Sequence, residues 1–174
     1  MNDPKTAKRG AVASDEKEFM ALLQPVLPAA FRLAVGLLRS PAAADDAVQE
    51  AVLKAWKNFG RFRRGSDLRP WLFTIVANEC RRQQRTRWWS MKELPPTLED
   101  PARYRNLDSE TADLRSALYR LPYDMRLAVV LRYYLDLSFE EVGQTLGVSS
   151  KAAKSRTYRA LERLRLSPEV LSYE

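Results

Sequence analysis

The 174-residue chain contains no histidine and a single cysteine, Cys80. Without imidazole or a second thiol it cannot build His-rich or multi-cysteine zinc sites, an internal disulfide scaffold, or a Ser-His or Cys-His catalytic pair. Long apolar runs are also missing. No stretch approaches the roughly 20 residues that span a bilayer, and Met1 to Gly10, with Lys5, Lys8 and Arg9, lacks the apolar core of a signal peptide. These absences predict a cytoplasmic protein that does not insert into membranes and carries no metal and no cofactor. Cys80 reads as a packed or bystander thiol.

What the chain does have is apolar material and positive charge. Hydrophobic residues make up 45% of it, enough for packed cores, and the formal net charge is +7. A basic surface favours a polyanion. The charge is segregated. From Lys54 to Lys92 eleven basic residues face only Asp67 and Glu79, whereas from Glu93 to Asp113 six acids face Arg103 and Arg105. That acidic stretch holds Pro95, Pro96 and Pro101 and reads as a linker. From Ser150 to Arg165 six basic residues face Glu162 alone, so two basic modules flank an acidic connection. There is no internal repeat and no low-complexity tract.

Apolar spacing is helical almost throughout, with no sustained strand alternation. Phe19, Leu22, Leu23, Val26, Ala30, Leu33, Ala34 and Leu37 follow steps of three and four, with Pro25 and Pro28 expected to kink or divide that helix. Ser40 before Pro41 is an N-cap with proline at the first helical position, and Val48, Val52, Ala55, Trp56 and Phe59 mark the buried face of the helix that Gly60 ends. A loop from Arg61 to Arg69 leads to a helix expected to start near Pro70. Trp56, Trp71 and Phe59 lie in apolar periods and read as core. In the second half, Leu114, Ala117, Leu118 and Leu121 predict a helix ended by Pro122, and Leu127, Val130, Leu131 and Tyr134 predict the next. The fold class is therefore all-α: two small helical domains joined by a flexible linker.

Ser138-Phe139-Glu140-Glu141 has the pattern of a capping box at a helix start. Gly147 stands where a helix needs a left-handed C-terminal residue, Val148 can plug the turn, and Ser149 can cap a second helix running to about Leu166. This predicts a helix-turn-helix. Ala153, Thr157, Ala160, Leu161 and Leu164 fall on the inner side of its second helix, while Lys151, Lys154, Arg156, Arg159 and Arg163 project outward. Such a helix fits a DNA major groove about 12 Å wide, with N-terminal side chains reaching base edges and cations reaching phosphates.

Taken in order, these residues resemble a bacterial RNA polymerase sigma factor of the extracytoplasmic-function group. The resemblance covers about Phe19 to Leu166. In the first half it rests on Asp45-Asp46-Ala47-Val48-Gln49-Glu50-Ala51, Lys54-Ala55-Trp56, Phe62, Gly65-Ser66, Leu68-Arg69-Pro70-Trp71-Leu72 and Ala77-Asn78. In the second it rests on Leu121-Pro122, Arg126, Leu131-Arg132-Tyr133, Leu137-Ser138, Glu140-Glu141-Val142, Leu146-Gly147-Val148-Ser149, Lys154-Ser155-Arg156 and Ala160-Leu161-Glu162-Arg163-Leu164-Arg165. Each motif is ordinary alone; their order and spacing are specific. Lys151, Ala152 and Ala153 stand where many relatives have Gly-Thr-Val, and the family pattern does not explain Trp88 and Trp89.

The resemblance implies a promoter-specificity subunit without catalytic residues. Residues 1–14 would be a flexible N-terminus and 15–91 a region-2-like domain that binds the polymerase clamp and the minus-10 element. Residues 92–110 would be the linker and 111–174 the region-4-like domain that reads the minus-35 element. The implied partners are core RNA polymerase, promoter DNA as upstream duplex and as single strand at the bubble, and an anti-sigma factor.

On that reading Asp45, Asp46, Gln49 and Glu50, which share one side of a helix, dock on the polymerase. Their ordinary alternative is a solvated acidic first turn favoured by the helix dipole. Arg63, Arg64, Gly65, Ser66 and Asp67 in the loop, with Asn78, Arg81, Arg82 and Arg85 on the adjoining helix, take the minus-10 element. The loop supplies polar edges for a splayed base and the helix supplies cations for phosphates. Ser150, Lys151, Lys154, Ser155, Arg156, Arg159 and Arg163 contact the minus-35 element. The rival reading is a helix-turn-helix regulator that binds duplex DNA without polymerase, its first half serving as a dimerisation or sensor domain.

Overall fold

The structure, a computed structural model, describes residues 15–38, 40–93 and 109–165. Among these residues there are helices and turns and no strand. Helix α1 spans Asp15–Leu23 and α2 spans Leu27–Leu37, bent 58° from one another. Pro25 lies in the intervening turn and Pro28 in the first turn of α2, where a missing N–H costs nothing. The expected division of this segment is therefore observed.

Helix α3 covers Pro41–Asn58, and the Ser40 hydroxyl accepts from the Ala43 N–H at 3.2 Å. A short 3-10 turn at Phe59–Arg61 follows, then α4 at Leu68–Glu93. That helix starts ahead of Pro70 because the Asp67 carboxylate accepts from the Arg69 N–H at 2.8 Å and caps its first turn. It also runs past residue 91, the expected end of the first domain. The rest of the expected linker up to residue 108, the N-terminal residues 1–14 and the C-terminal residues 166–174 lie outside the described residues, as do the side chains of Trp88 and Trp89.

In the second half α5 covers Ser109–Arg120 and α6 covers Tyr123–Val129, on either side of Pro122. A π-helical turn at Val130–Tyr134 continues α6. Its wider turn carries Tyr134 off the buried face, leaving that ring 56% exposed where an α-helical period would have placed it inward. Helices α7, Phe139–Leu146, and α8, Ser150–Arg165, complete the chain of described elements.

The first half is built around a file of rings. Phe19 packs on Trp56 at 5.4 Å and on Phe59 at 5.0 Å, Phe59 on Phe62 at 5.7 Å, and Phe62 on Trp71 at 5.1 Å. Phe59 is buried, and Trp56 and Trp71 pack against the same core, as their spacing predicts. Cys80 is fully buried, and burial pushes its thiol up to about 12.

The two helical domains expected from the sequence also share a core. Leu127, Ala128, Val130, Leu131, Leu137 and Val142 belong to the same buried cluster as Leu33, Leu37, Leu72 and Val76. Two further contacts make the junction close. The Tyr123 hydroxyl donates to the Ala77 carbonyl at 2.6 Å, and a Cβ placed on Gly36 would meet Val130 Cγ1 at 2.9 Å. A second, smaller cluster of Ala117, Leu121, Val129, Ala160 and Leu164 ties α5 to α8.

Candidate polymerase and nucleic-acid interfaces

The acidic side of α3 is open. Ala44, Ala47, Val48, Ala51 and Ala55 turn inward, which sets Asp45, Asp46, Gln49 and Glu50 outward, all exposed. Gln49 Nε2 donates to Asp45 Oδ2 at 2.7 Å, holding one edge of the set in register. Asp46, Gln49 and Glu50 line a shallow cleft between α3 and α4, together with Leu53, Arg82, Gln83 and Thr86. Leu53 is 53% exposed at the end of this row, an apolar contact beside the carboxylates that its charge-centred reading missed. Its position one turn beyond Gln49 was the available signal.

The basic loop is ordered by its own chain. Gly65 adopts φ +79°, a conformation that side chains disfavour, and Ser66 donates both its N–H, at 3.1 Å, and its hydroxyl, at 2.5 Å, to the Arg63 carbonyl. Arg64 turns back onto α1, where it pairs with Asp15 at 2.8 Å and with Glu18 and lies over the Phe59 ring. Arg63, Gly65, Ser66 and Asp67 are exposed. Of the set predicted here, Arg64 and Asp67 thus have structural partners, and Arg63, Gly65 and Ser66 form the open rim.

On α4 Asn78, Arg82 and Arg85 are exposed along one stripe. Arg82 also donates to Glu79 at 2.9 Å, and Lys54 bonds the same carboxylate from α3. Glu79 is buried. Burial alone would raise its pKa, but the hydrogen bonds and charges of Lys54 and Arg82 outweigh that and hold the carboxyl below its ordinary value. Arg81 is directed differently: it bonds Asp124 of α6 and lies 4.7 Å from the Tyr123 ring centre.

The helix-turn-helix has the geometry its sequence predicts. Ser138 Oγ accepts from the Glu141 N–H at 3.2 Å while Glu141 Oε2 accepts from the Ser138 N–H at 2.8 Å, closing the capping box. Although burial raises the Glu141 pKa, these bonds to Ser138 and the nearby Arg69 charge bring it below the ordinary value. Gly147 sits at φ +67°, and Ser149 Oγ accepts from the Ala152 N–H at 3.2 Å to start α8. A glycine that the sequence reading passed over also shapes the turn: a Cβ on Gly143 would lie 2.7 Å from the Val148 carbonyl oxygen.

Ala153, Thr157, Ala160 and Leu164 are buried along α8, and Lys151, Lys154, Ser155, Arg159 and Arg163 are exposed on its other side. Ser150 and Arg156 are half-buried. Arg156 lies 3.8 Å from Asp124. Tyr158 is a further exposed group on this face, 5.9 Å from Lys154 Nζ, one turn on from that lysine.

Two helical modules with an acidic helix in one and a cation-studded helix-turn-helix in the other define a DNA-directed transcription factor. The family described as Sigma-70 region 2 matches residues 22–90, and Sigma-70 region 4 matches residues 111–164. The ECF RNA polymerase sigma factor SigM of Mycobacterium tuberculosis is 36% identical over 156 residues, 88% of this chain and 78% of its own. RNA polymerase sigma factor CarQ of Myxococcus xanthus is 35% identical over 133 residues, covering 74% and 76%. Among solved structures, the sigma factor RpoE in complex with the anti-sigma factor NepR from Bartonella quintana is 34% identical, with a TM-score of 0.70 over 91% of this chain and 99% of that one. CnrH in complex with the cytosolic domain of CnrY gives 0.68 at 26% identity over 90% of each.

The chain belongs to the extracytoplasmic-function group of RNA polymerase sigma factors. It is a transcription initiation factor with a DNA-binding region 4. Among the described residues no single helix is long and apolar enough to cross a membrane.

Proposed function

We propose that residues 15–91 bind the polymerase clamp through Asp45, Asp46, Gln49 and Glu50, with Leu53 adding an apolar contact. The same domain would hold the minus-10 element with the rim of Arg63, Gly65 and Ser66 and the α4 stripe of Asn78, Arg82 and Arg85, Arg81 joining when free of Asp124. Residues 111–174 read the minus-35 duplex with Ser150, Lys151, Lys154, Ser155, Arg156, Arg159 and Arg163, and residues 92–110 link the two. The chain acts in the cytoplasm, lends no catalytic group to nucleotide chemistry, and is restrained by an anti-sigma factor, as the sigma factor RpoE is in complex with the anti-sigma factor NepR.

The observation that carries this reading is the separation of charge: an exposed carboxylate row on α3, and two cationic faces on α4 and α8. Carboxylates repel a phosphate backbone and suit a basic protein partner, whereas the cations suit DNA. The test is run-off transcription from genomic fragments with purified core polymerase. Discrete starts should require the chain, and Asp46→Lys with Glu50→Lys should abolish both the starts and polymerase pull-down while the circular dichroism stays helical. Equal polymerase capture by that double variant would return the acidic row to a solvated helix face.

A further inference from the structure

We infer that Glu79 is a positioning residue for the minus-10 contact: its buried carboxylate, braced by Lys54 of α3, holds Arg82 through Nε and leaves the two terminal nitrogens of that guanidinium for a DNA phosphate. Asn78, Arg82 and Arg85 are the DNA stripe proposed above, and the role of Glu79 depends on that reading.

Three side chains share the one carboxylate. Arg82 Nε donates to Glu79 Oε2 at 2.9 Å, and Lys54 Nζ bonds Oε1. The Glu79 side chain is 5% exposed, against 44% for Lys54 and 55% for Arg82, so the acid lies beneath the surface and both cations reach it from outside. With one oxygen taken from α3, the carboxylate cannot turn freely, and the second oxygen has a fixed place. Burial opposes its ionisation, but the hydrogen bonds and charges of Lys54 and Arg82 outweigh that.

The consequence for Arg82 follows from the shape of its head group. A guanidinium carries its donors in a rigid planar fork, so a bond at Nε sets the direction of the two terminal nitrogens. An exposed arginine otherwise loses rotamer freedom when a phosphate captures it. Here the folded chain has already ordered it. Two cations against one carboxylate also leave a positive charge over, so the face keeps the sign that DNA requires. Asp46 and Glu50 line the same cleft as Arg82, and the bond to Glu79 keeps the guanidinium from turning to them.

Positioning and simple charge predict opposite signs. Glu79→Gln removes a negative charge beside the DNA stripe, which by Coulomb attraction alone would tighten binding. Its amide, however, offers one acceptor oxygen to two cations, so Arg82 is loosened and binding should weaken. The test uses the full chain preassembled with saturating core polymerase. Its affinity is followed by anisotropy, over a range of salt concentrations, on a fluorescent promoter fragment selected by the run-off assay, with the non-template strand left unpaired across the minus-10 element.

The Glu79→Gln holoenzyme should bind about three- to tenfold more weakly than the parent. Arg82→Ala should weaken binding and lower the salt slope by about 0.7–1 unit. Adding Glu79→Gln to Arg82→Ala should cost nothing further, since the residue acts through that arginine. Equal or tighter binding by Glu79→Gln, or the same loss in both backgrounds, overturns the positioning role and leaves Arg82 as a DNA contact. Unchanged affinity and slope in Arg82→Ala removes that contact and the role of Glu79 with it. If Glu79→Gln does not fold, Arg82→Lys decides, at an exposed site that keeps its charge but has one nitrogen in place of the fork. It should bind about three- to tenfold more weakly, and parental affinity overturns the inference.

Discussion

The Tyr123 hydroxyl donates to the carbonyl oxygen of Ala77 at 2.6 Å, bonding the first turn of α6 to the middle of α4. Burial pushes the phenol well above its ordinary pKa, which favours the protonated form that donates this bond. Tyr123→Phe keeps the ring against Arg81 and removes only that donor. The expected loss is about 1 kcal/mol of unfolding free energy, measured by urea titration. A loss below about 0.3 kcal/mol would mean that the bond contributes nothing across the junction.

Glu79 provides a pH-dependent prediction. Its pKa is lowered in the folded chain, so its contribution is fully present above the unfolded carboxylate value and is lost as pH falls through the folded one. Lys54→Met removes one of its two cationic partners and should cost about 1–2 kcal/mol near pH 7, Arg82 limiting the damage. Because a protonated Glu79 no longer needs Lys54, the gap between variant and parent should narrow below about pH 4. A gap that stays constant across that range would show that Lys54 acts by packing alone.

Gly143→Ala tests the turn of the helix-turn-helix. Its methyl group would approach the Val148 carbonyl, a backbone atom that cannot rotate away. The α7–α8 angle has to open, at an expected cost of about 1–3 kcal/mol. Thermal unfolding followed by circular dichroism reads this, and duplex binding should weaken with it. Full stability in the variant would mean that the turn tolerates displacement.

Replacing cations on α8 should separate two kinds of DNA contact. Arg156→Ala should weaken binding to a selected promoter by about 1–3 kcal/mol if its guanidinium reads a base bidentately. Lys154→Ala should mainly lower the salt dependence of binding, by about one unit of slope. Replacing Lys154, Arg156 and Arg159 together should abolish promoter binding. Unchanged affinity in that triple variant would remove α8 from the interface.

Local signals were legible wherever one residue type dictates one backbone state. Ser40 before Pro41, the Ser138–Glu141 box and Gly147 each satisfy or reverse the chain within a few residues, and each is found as expected. Register failed at Tyr134, because a single π turn shifts the period without any distinctive residue. Pro70 marked the start of α4 to within two residues, because proline is tolerated throughout the first helical turn, and Asp67 supplies the cap.

The candidate faces were legible as charge but not as partnership. Arg64, Arg81 and Arg156 look equivalent to their neighbours in sequence, yet they meet Asp15, Glu18 and Asp124 through contacts 32 to 49 residues away in the chain. No period encodes such pairings. The shared core was hidden for the same reason, since an apolar stripe specifies that a face is buried and not which half buries it.

Tyr119 gives the junction a reach beyond its own residues. Its hydroxyl lies 2.8 Å from the Leu38 carbonyl and 3.2 Å from that of Val35, at the end of α2 where helical carbonyls lack partners of their own. Ser40, the cap of the acidic helix, is two residues further on. Tyr119 of α5 thus closes the end of α2 only two residues before the cap that starts α3, so one side chain of the second half lies beside the entry to the helix that carries the carboxylate row.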